Sequence, residues 1–328
     1  MERQESIAEG ELESPPEGSH VPAVGPDRAR IEDLLVKTSR TFALSIPLLP
    51  EPTRWETTLA YLLFRIADTF EDASVRWRRE QQITALEEFA ELLDEPTSDR
   101  VARCADEWHR QRPIEHDGYL ELIADAPLVL RAFAELGERP RSIVAHHTRR
   151  TADGMAGFVA RTGDDGNLQL TDLDDLRQYC YIVAGIVGEM LTELFLLDRP
   201  GLAAIGDYLR ARARSFGEAL QLVNILRDSA SDATEGRLYL PVAVGTDEIF
   251  ELARSDLGAA GEYVRAMQDA GGPDGLVLFT GLPVLLARAT LDRVEREGPG
   301  AKLTRPEVFA IHEGLHQAVA KGRPAVPA

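Results

Sequence analysis

The chain has 328 residues, 44% of them hydrophobic, enough for one large or two ordinary domains with a substantial core. Its 55 acidic against 36 basic residues give a formal net charge of −19, which argues against nucleic acid or an anionic membrane as a default partner. Two cysteines, Cys104 and Cys180, lie far apart in helical-looking sequence, which argues against a disulfide framework or a zinc site of Cys pairs and for reduced thiols in a cytoplasmic setting.

Residues 1–27 are rich in Glu, Pro, Gly and Ser with hardly a hydrophobe, so they cannot bury enough apolar area to offset ordering, and a disordered tail is expected. The tail lacks the basic start and apolar core of a signal peptide, and no apolar run reaches the roughly 20 residues of a membrane helix. From Arg28 on, helical signals dominate. Leu34 and Leu35 lead into Thr38, Ser39, Arg40, Thr41 and Phe42, where Ser39 and Arg40 read as an N-cap and a surface cation. Pro47, Pro50 and Pro52 then break the chain before a long helix over 54–72. Its last turns place Asp68 and Asp72 at i,i+4, with Tyr61 upstream and Arg65 on nearly the same face, in a run that otherwise reads as buried. Helices are predicted over 79–94 and 98–111, with Ile83, Leu86, Phe89 and Leu92 on one face. Two more are expected within 113–162, separated near Gly137 to Pro140, the second ending in Gly154, Met155, Ala156, Gly157 and Phe158. The adjacent His146 and His147 cannot share a helix face and read as surface.

Tyr179 opens the longest apolar helix, reaching Leu197. Val183 and Val187, four and eight residues on, would line the same side as Tyr179, and Ala184, Gly185 and Gly188 make a smooth strip that suits close helix packing or a ligand. A buried Tyr179 hydroxyl would need a partner. Farther on, Gln221 precedes Asn224, Asp228 and Asp232, whose i, i+4, i+8 spacing puts three oxygen ligands on one helix face, with Arg227 beside them. Gly236 to Pro241 ends that helix in a tight segment, where Arg237 reads as a C-terminal helix cation. Helices continue over 247–270, 272–296 and 304–320. Without an alternating strand pattern the fold class is all-α: a single domain over 28–322 of about a dozen helices around a central cavity, with a flexible tail at 323–328.

Two oxygen-bearing faces set opposite each other would repel unless divalent cations sat between them. Hard oxygen donors without His or Cys suit magnesium, which binds through a few carboxylates plus the phosphates of a substrate, so the implied ligand is a diphosphate. A competing pattern, His312-Glu-Gly-Leu-His316, fits the zinc-peptidase motif. Only 12 residues follow His316, none of them Glu, Asp or His, so a third ligand would have to come from far upstream. A non-catalytic helical scaffold is the other class of alternative.

Five stretches in order, Thr38 to Phe42, Asp68-Thr-Phe-Glu-Asp72, Tyr179 to Gly188, Asn224 through Asp228 to Asp232, and Gly236 to Pro241, resemble the squalene/phytoene synthase family of head-to-head prenyltransferases. The resemblance covers roughly residues 35–320. It implies a magnesium site at Asp68, Asp72, Asn224, Asp228 and Asp232. Ser39, Arg40, Arg65, Arg227 and Arg237 would bind the diphosphates with Tyr61 and Gln221 nearby, and Phe42, Val183 and Val187 would line the prenyl pocket. Tyr179 would stand beside the developing carbocation. The form of the first aspartate motif, Gly154 to Phe158, and the segments Phe279 to Pro283 and Ala289 to Leu291 resemble squalene synthases. Squalene from two farnesyl diphosphates, with NADPH as reductant and a monomeric enzyme, is thus the implied reading; phytoene from geranylgeranyl diphosphate and dehydrosqualene are the alternatives. Ser231 stands where the family usually has Glu, and no glycine-rich dinucleotide fingerprint follows a strand.

Overall fold

Leu59, Leu62, Leu63, Ile66 and Phe70 recur at three- and four-residue spacing and are all fully buried, so Thr53–Glu71 folds as one helix with core around most of its circumference. The computed structural model describes residues 25–39, 41–94, 97–163, 167–197, 199–234 and 236–328. In chain order the helices are α1 (Pro26–Thr38), α2 (Phe42–Ser45), α3 (Thr53–Glu71), α4 (Arg79–Asp94), α5 (Ser98–Gln111), α6 (Asp117–Ala124), α7 (Ala126–Ala134) and α8 (Glu138–Val159). There follow α9 (Leu173–Cys180), α10 (Ile186–Leu196), α11 (Pro200–Ala203), α12 (Gly206–Thr234), α13 (Thr246–Asp269), α14 (Asp274–Glu297) and α15 (Arg305–Ala320). Local chemistry sets several ends. The Asp172 carboxylate accepts the Asp175 N–H at 2.9 Å to start α9, and Thr304 with Glu307 forms a reciprocal capping box at α15. The all-α expectation holds.

Several details differ from the sequence reading. The interval 113–162 carries three helices, because Pro127 near the start of α7 breaks the run after α6. His147, expected at the surface, is buried with Nδ1 2.8 Å from the Ile143 carbonyl oxygen, and burial lowers its pKa. Residues 1–24 of the expected tail lie outside the described residues, and α1 already begins at Pro26. At the other end Ala325 and Val326 are buried rather than loose: Gln268 brackets the segment, donating to the Arg323 carbonyl and accepting the Ala325 N–H, while Arg288 donates to the Pro327 carbonyl at 2.7 Å. Two stretches, Leu173–Leu196 and Asp274–Glu297, do prove long and apolar enough to cross a membrane by length and composition; 61% and 67% of their apolar windows are buried within the fold, as in core helices.

The long apolar helix expected from Tyr179 is interrupted. Between α9 and α10, Tyr181–Gly185 forms a π-helical turn, a rare feature found frequently at functional sites. Such a turn displaces backbone groups that need partners, and here the Thr151 hydroxyl donates to the Ile182 carbonyl at 3.0 Å. Tyr181 is clamped from outside: its hydroxyl accepts from Arg150, and the Arg214 guanidinium lies 4.4 Å from its ring centre. Immediately beyond, α10 crosses α12 with almost no side chain between them. A Cβ on Gly188 would stand 2.1 Å from the Ala213 carbonyl oxygen, and one on Gly217 would stand 2.0 Å from that of Ala184, so the smooth strip seen in the sequence is a backbone-to-backbone crossing.

Two strands too short to alternate, β1 (Leu168–Gln169) and β2 (Arg237–Leu238), pair in parallel with Leu168 opposite Arg237. Their bonds, Leu168 N–H to Gly236 O at 3.1 Å and Leu170 N–H to Leu238 O at 3.2 Å, fasten the segment after α12 beside the cavity. Gly236 makes the turn at φ +80°, where a side chain would be strained and would also collide with the Asn167 amide.

Candidate active site

The inner ends of α3 and α12, the π turn and β2 meet around two joined cavities. One, of about 220 Å³, is walled by apolar side chains, among them Phe42, Phe64, Val187, Leu191, Phe216 and Phe279. Phe42 reaches it by packing against Tyr61 and Phe279, with ring centres 5.6 and 6.4 Å away. Pro283, inside α14, cannot donate a backbone bond to the Phe279 carbonyl, and both residues face this cavity. The second, of about 340 Å³, is polar and holds Asp68, Glu71, Asp72, Asn224, Asp228 and Asp232 together with three arginines, Arg65, Arg227 and Arg237. Arg65, Asp68, Val183, Gln221 and Asn224 border both, so an elongated molecule with a charged head and an apolar tail fits across the junction.

The two aspartate motifs face each other as their spacing requires. Arg237 spans them, 3.2 Å from Asp72 Oδ1 and 3.8 Å from Asp232 Oδ1. Arg227 grips Asp228 with both arms of its guanidinium, Nε at 2.8 Å from Oδ1, and Arg65 Nη1 lies 3.1 Å from Asp68 Oδ2. Arg65 also donates to the Tyr61 hydroxyl, which itself donates to the Thr38 carbonyl at 2.8 Å. Its guanidinium is 5.5 Å from the Tyr61 ring and 5.4 Å from that of Tyr119, a neighbour the sequence did not signal. Asp68 retains 28% side-chain exposure, yet protein surrounds it deeply enough that burial raises its pKa to about 6, against the pull of Arg65. Glu71 is pushed up to about 8 by burial and by the neighbouring Asp72 and Asp68. The acids thus outweigh the positive charge the protein itself supplies.

Tyr179 sits where the polar cavity meets the core. Its hydroxyl donates to Glu71 Oε1 at 3.0 Å and lies 2.9 Å from the Tyr239 hydroxyl, the two rings stacking with centres 4.7 Å apart. Phe158 meets it edge-on at 5.1 Å. Burial first, then the charge of Glu71, holds the Tyr179 phenol far above its ordinary pKa, so it is a neutral donor. The π turn splits the side that Tyr179, Val183 and Val187 were expected to share: Tyr179 lines the polar cavity, Val187 the apolar one, and Val183 both. Ser39 is the C-cap residue of α1 and not the N-cap expected, since Thr41 holds that place at α2; its hydroxyl accepts the Phe42 N–H at 2.9 Å and it lines neither cavity, and Arg40 lies outside the described residues. Glu71 and Tyr239 stood inside the quoted motifs without a role; their position beside Tyr179 is a long-range fact.

Among the described residues no three His, Cys, Asp or Glu side chains are gathered closely enough to hold a metal as they stand. At the aspartate motifs the reason is visible, since arginines lie against the carboxylates. The donor set nonetheless fits a hard divalent cation: it is all oxygen, it lines one cavity from two sides, and burial and mutual repulsion already raise Asp68 and Glu71. His312 and His316 lie next to each other on α15 with ring centres 4.4 Å apart and planes tilted by 47°, and no third ligand joins them among the described residues.

Comparison with known proteins agrees with this architecture. The family model for squalene/phytoene synthase matches residues 35–248. Squalene synthase of Schizosaccharomyces pombe is 29% identical over 217 residues, covering 65% of this chain and 44% of that protein. The enzyme of Rattus norvegicus is 29% identical over 242 residues, covering 74% and 50%. The chain thus spans about half the length of the curated relatives it matches. Among solved structures, the complex of TcSQS with the ligand E5700 superposes with a TM-score of 0.69 at 25% identity, covering 90% of this chain and 89% of that one. A dehydrosqualene synthase in complex with ligand shares the fold at TM-score 0.53 and 20% identity, over 90% and 97% of the two chains. With both aspartate motifs, Tyr179 and the Arg237 segment inside the matched span and facing one another in the fold, the chain belongs to the squalene/phytoene synthase family.

Proposed function

We infer that the chain is a prenyltransferase that condenses two farnesyl diphosphates head to head, through presqualene diphosphate, to squalene. The observation that carries this reading is the junction of an acid- and arginine-lined cavity with an apolar one, which suits a diphosphate joined to a prenyl chain. Asp68, Asp72, Asn224, Asp228 and Asp232 would hold magnesium, which when bound offsets charge on the leaving diphosphate so that the allylic C–O bond can ionise. Arg65, Arg227 and Arg237 supply charge-assisted donors to phosphate oxygens. Phe42, Val187, Leu191 and Phe279 keep water from the carbocation and hold the second prenyl double bond in line for attack. Tyr179, neutral and hydrogen-bonded to Glu71, is placed to hold or pass on the proton lost as the cyclopropane closes.

For NADPH the described residues offer no strand, glycine-rich turn and helix cradle, and their strands are two residues long. Its use rests on the family likeness and on Phe279 to Pro283 at the cavity wall. Both aspartate motifs come from one chain, so the proposed site needs no second subunit and a monomer would suffice for it. Cys104 and Cys180 are free, which accords with a cytoplasmic setting. Incubation with magnesium and farnesyl diphosphate, with and without NADPH, followed by gas chromatography and mass spectrometry, tests the reading. Squalene only with NADPH supports the whole of it. Presqualene diphosphate under both conditions removes the reduction, dehydrosqualene from farnesyl diphosphate or phytoene from a parallel reaction with geranylgeranyl diphosphate replaces the product, and no coupling at all overturns it. Tyr179→Phe is expected to leave KM within about threefold and to lower kcat about a hundredfold or divert the product; an unchanged rate and product would make Tyr179 a core residue only.

A further inference from the structure

The face of α3 that carries Asp68 continues inward through Arg65, Phe64 and Tyr61 to Thr57, all lining the same cavity. The opposing walls run the same way, from Asn224 and Gln221 to Phe216 on α12 and from Val183 to Leu191 through the π turn and α10. Thr57 therefore marks the end of the α3 wall farthest from the acids. It is 3% exposed, and its hydroxyl has no hydrogen-bond partner. Other threonines of this helix are bonded: Thr58 Oγ1 donates to the Arg54 carbonyl at 2.8 Å and Thr69 Oγ1 to that of Arg65 at 2.7 Å. Valine would fill the same space with no group in need of a partner, so packing does not account for the hydroxyl.

Thr57 precedes Asp68 by three helical turns, about 16 Å of axial rise. An extended isoprene unit advances four main-chain carbons, about 5 Å at ordinary bond lengths, so three units span about 15 Å and four about 20 Å. We propose that Thr57 is a specificity-determining residue, closing the apolar cavity to prenyl chains longer than three isoprene units. The proposal rests on the prenyl diphosphate reading above. A three-unit chain with its head among the acids ends at Thr57. A fourth unit presses on the threonine methyl and brings hydrocarbon against a hydroxyl that has no other partner, and even one methylene in an apolar pocket is worth about tenfold or more in discrimination.

The test compares the full chain with Thr57→Val, which removes the hydroxyl at constant volume, and Thr57→Ala, which also opens space. Each is given magnesium with equimolar farnesyl and geranylgeranyl diphosphates, and products are quantified by mass spectrometry. Calorimetry in parallel measures binding of the S-thiolo analogues of both, which do not ionise readily. The unsubstituted chain is expected to favour the three-unit substrate. Thr57→Ala should raise the ratio of four-unit to three-unit kcat/KM about tenfold or more, and Thr57→Val about threefold, with the analogue affinities shifting in the same sense. Unchanged ratios in both variants, at a melting temperature near that of the parent, overturn the proposal, as does a parent chain that prefers the four-unit substrate. If the parent couples neither substrate, the prenyltransferase reading falls, and the analogue affinity ratios alone still decide the role of Thr57.

Discussion

Asp228→Asn lowers turnover by about a thousandfold or more while the protein stays folded. The substitution keeps shape and removes one negative charge from a cavity whose chemistry, in the proposed reaction, depends on electrostatic stabilisation of a departing diphosphate, commonly the largest single contribution to catalysis. Its structural cost is small, because Asp228 pairs with Arg227 at a position where both side chains keep about a third of their exposure, and such pairs are worth about 1 kcal/mol or less. Asp68→Asn acts in the same direction on rate, and its stability cost is smaller still, since burial already disfavours the charged form of Asp68. Diphosphate release and thermal melting, measured on the same preparations, check both halves. Near-normal turnover in either variant would remove the aspartate faces from the reaction.

Gly217→Ala destabilises the fold by about 3 kcal/mol or more, a large effect for one methyl group. The added Cβ would stand 2.0 Å from the Ala184 carbonyl oxygen, and that oxygen belongs to backbone, so neither helix can yield by turning a side chain. Separating them would also widen the apolar cavity, which Val183, Ala184 and Gly217 line together. Gly258→Ala is the matched control: it lies on α13 with nothing within 4 Å of the added Cβ, and is expected to gain about 0.5–1 kcal/mol from helix propensity. In thermal melting the first should fall by about 4 °C or more and the second rise by about a degree. Equal melting temperatures would mean that the crossing opens without strain.

The aspartate faces were legible because acids at four-residue spacing inside apolar runs leave a local trace. Asp68, Asp72, Asn224, Asp228 and Asp232 all line the polar cavity. The partners of Tyr179 left none: Glu71 is 108 positions away and Tyr239 is 60, and a hydrogen bond between distant residues has no signature in either neighbourhood. The π turn was hidden for a different reason. Tyr181 to Gly185 offers apolar or small residues at every position, so an inserted residue breaks no visible period. Ala325 and Val326, small and flanked by prolines, read as a tail because what holds them is Gln268 on another helix. Thr57 left no trace either, because what its hydroxyl meets is decided by the elements packed around it and not by its neighbours in sequence.

The arginine pairings have a thermodynamic corollary. Three arginines share the polar cavity with five acids, and Arg65, Arg227 and Arg237 each lie against aspartates. With more acids than arginines the site repels a free anion, and in the proposed reaction its guanidinium groups would turn to phosphate only as their present partners were drawn to a cation. On that reading anion and cation affinities would be linked, each improving the other by the same factor whichever arrives first. The cavity would then act as an ion exchanger rather than a finished receptor: inorganic pyrophosphate offered alone should bind poorly, and monovalent salt, by screening the resting pairs, should lower the barrier to exchange even as it weakens the loaded complex.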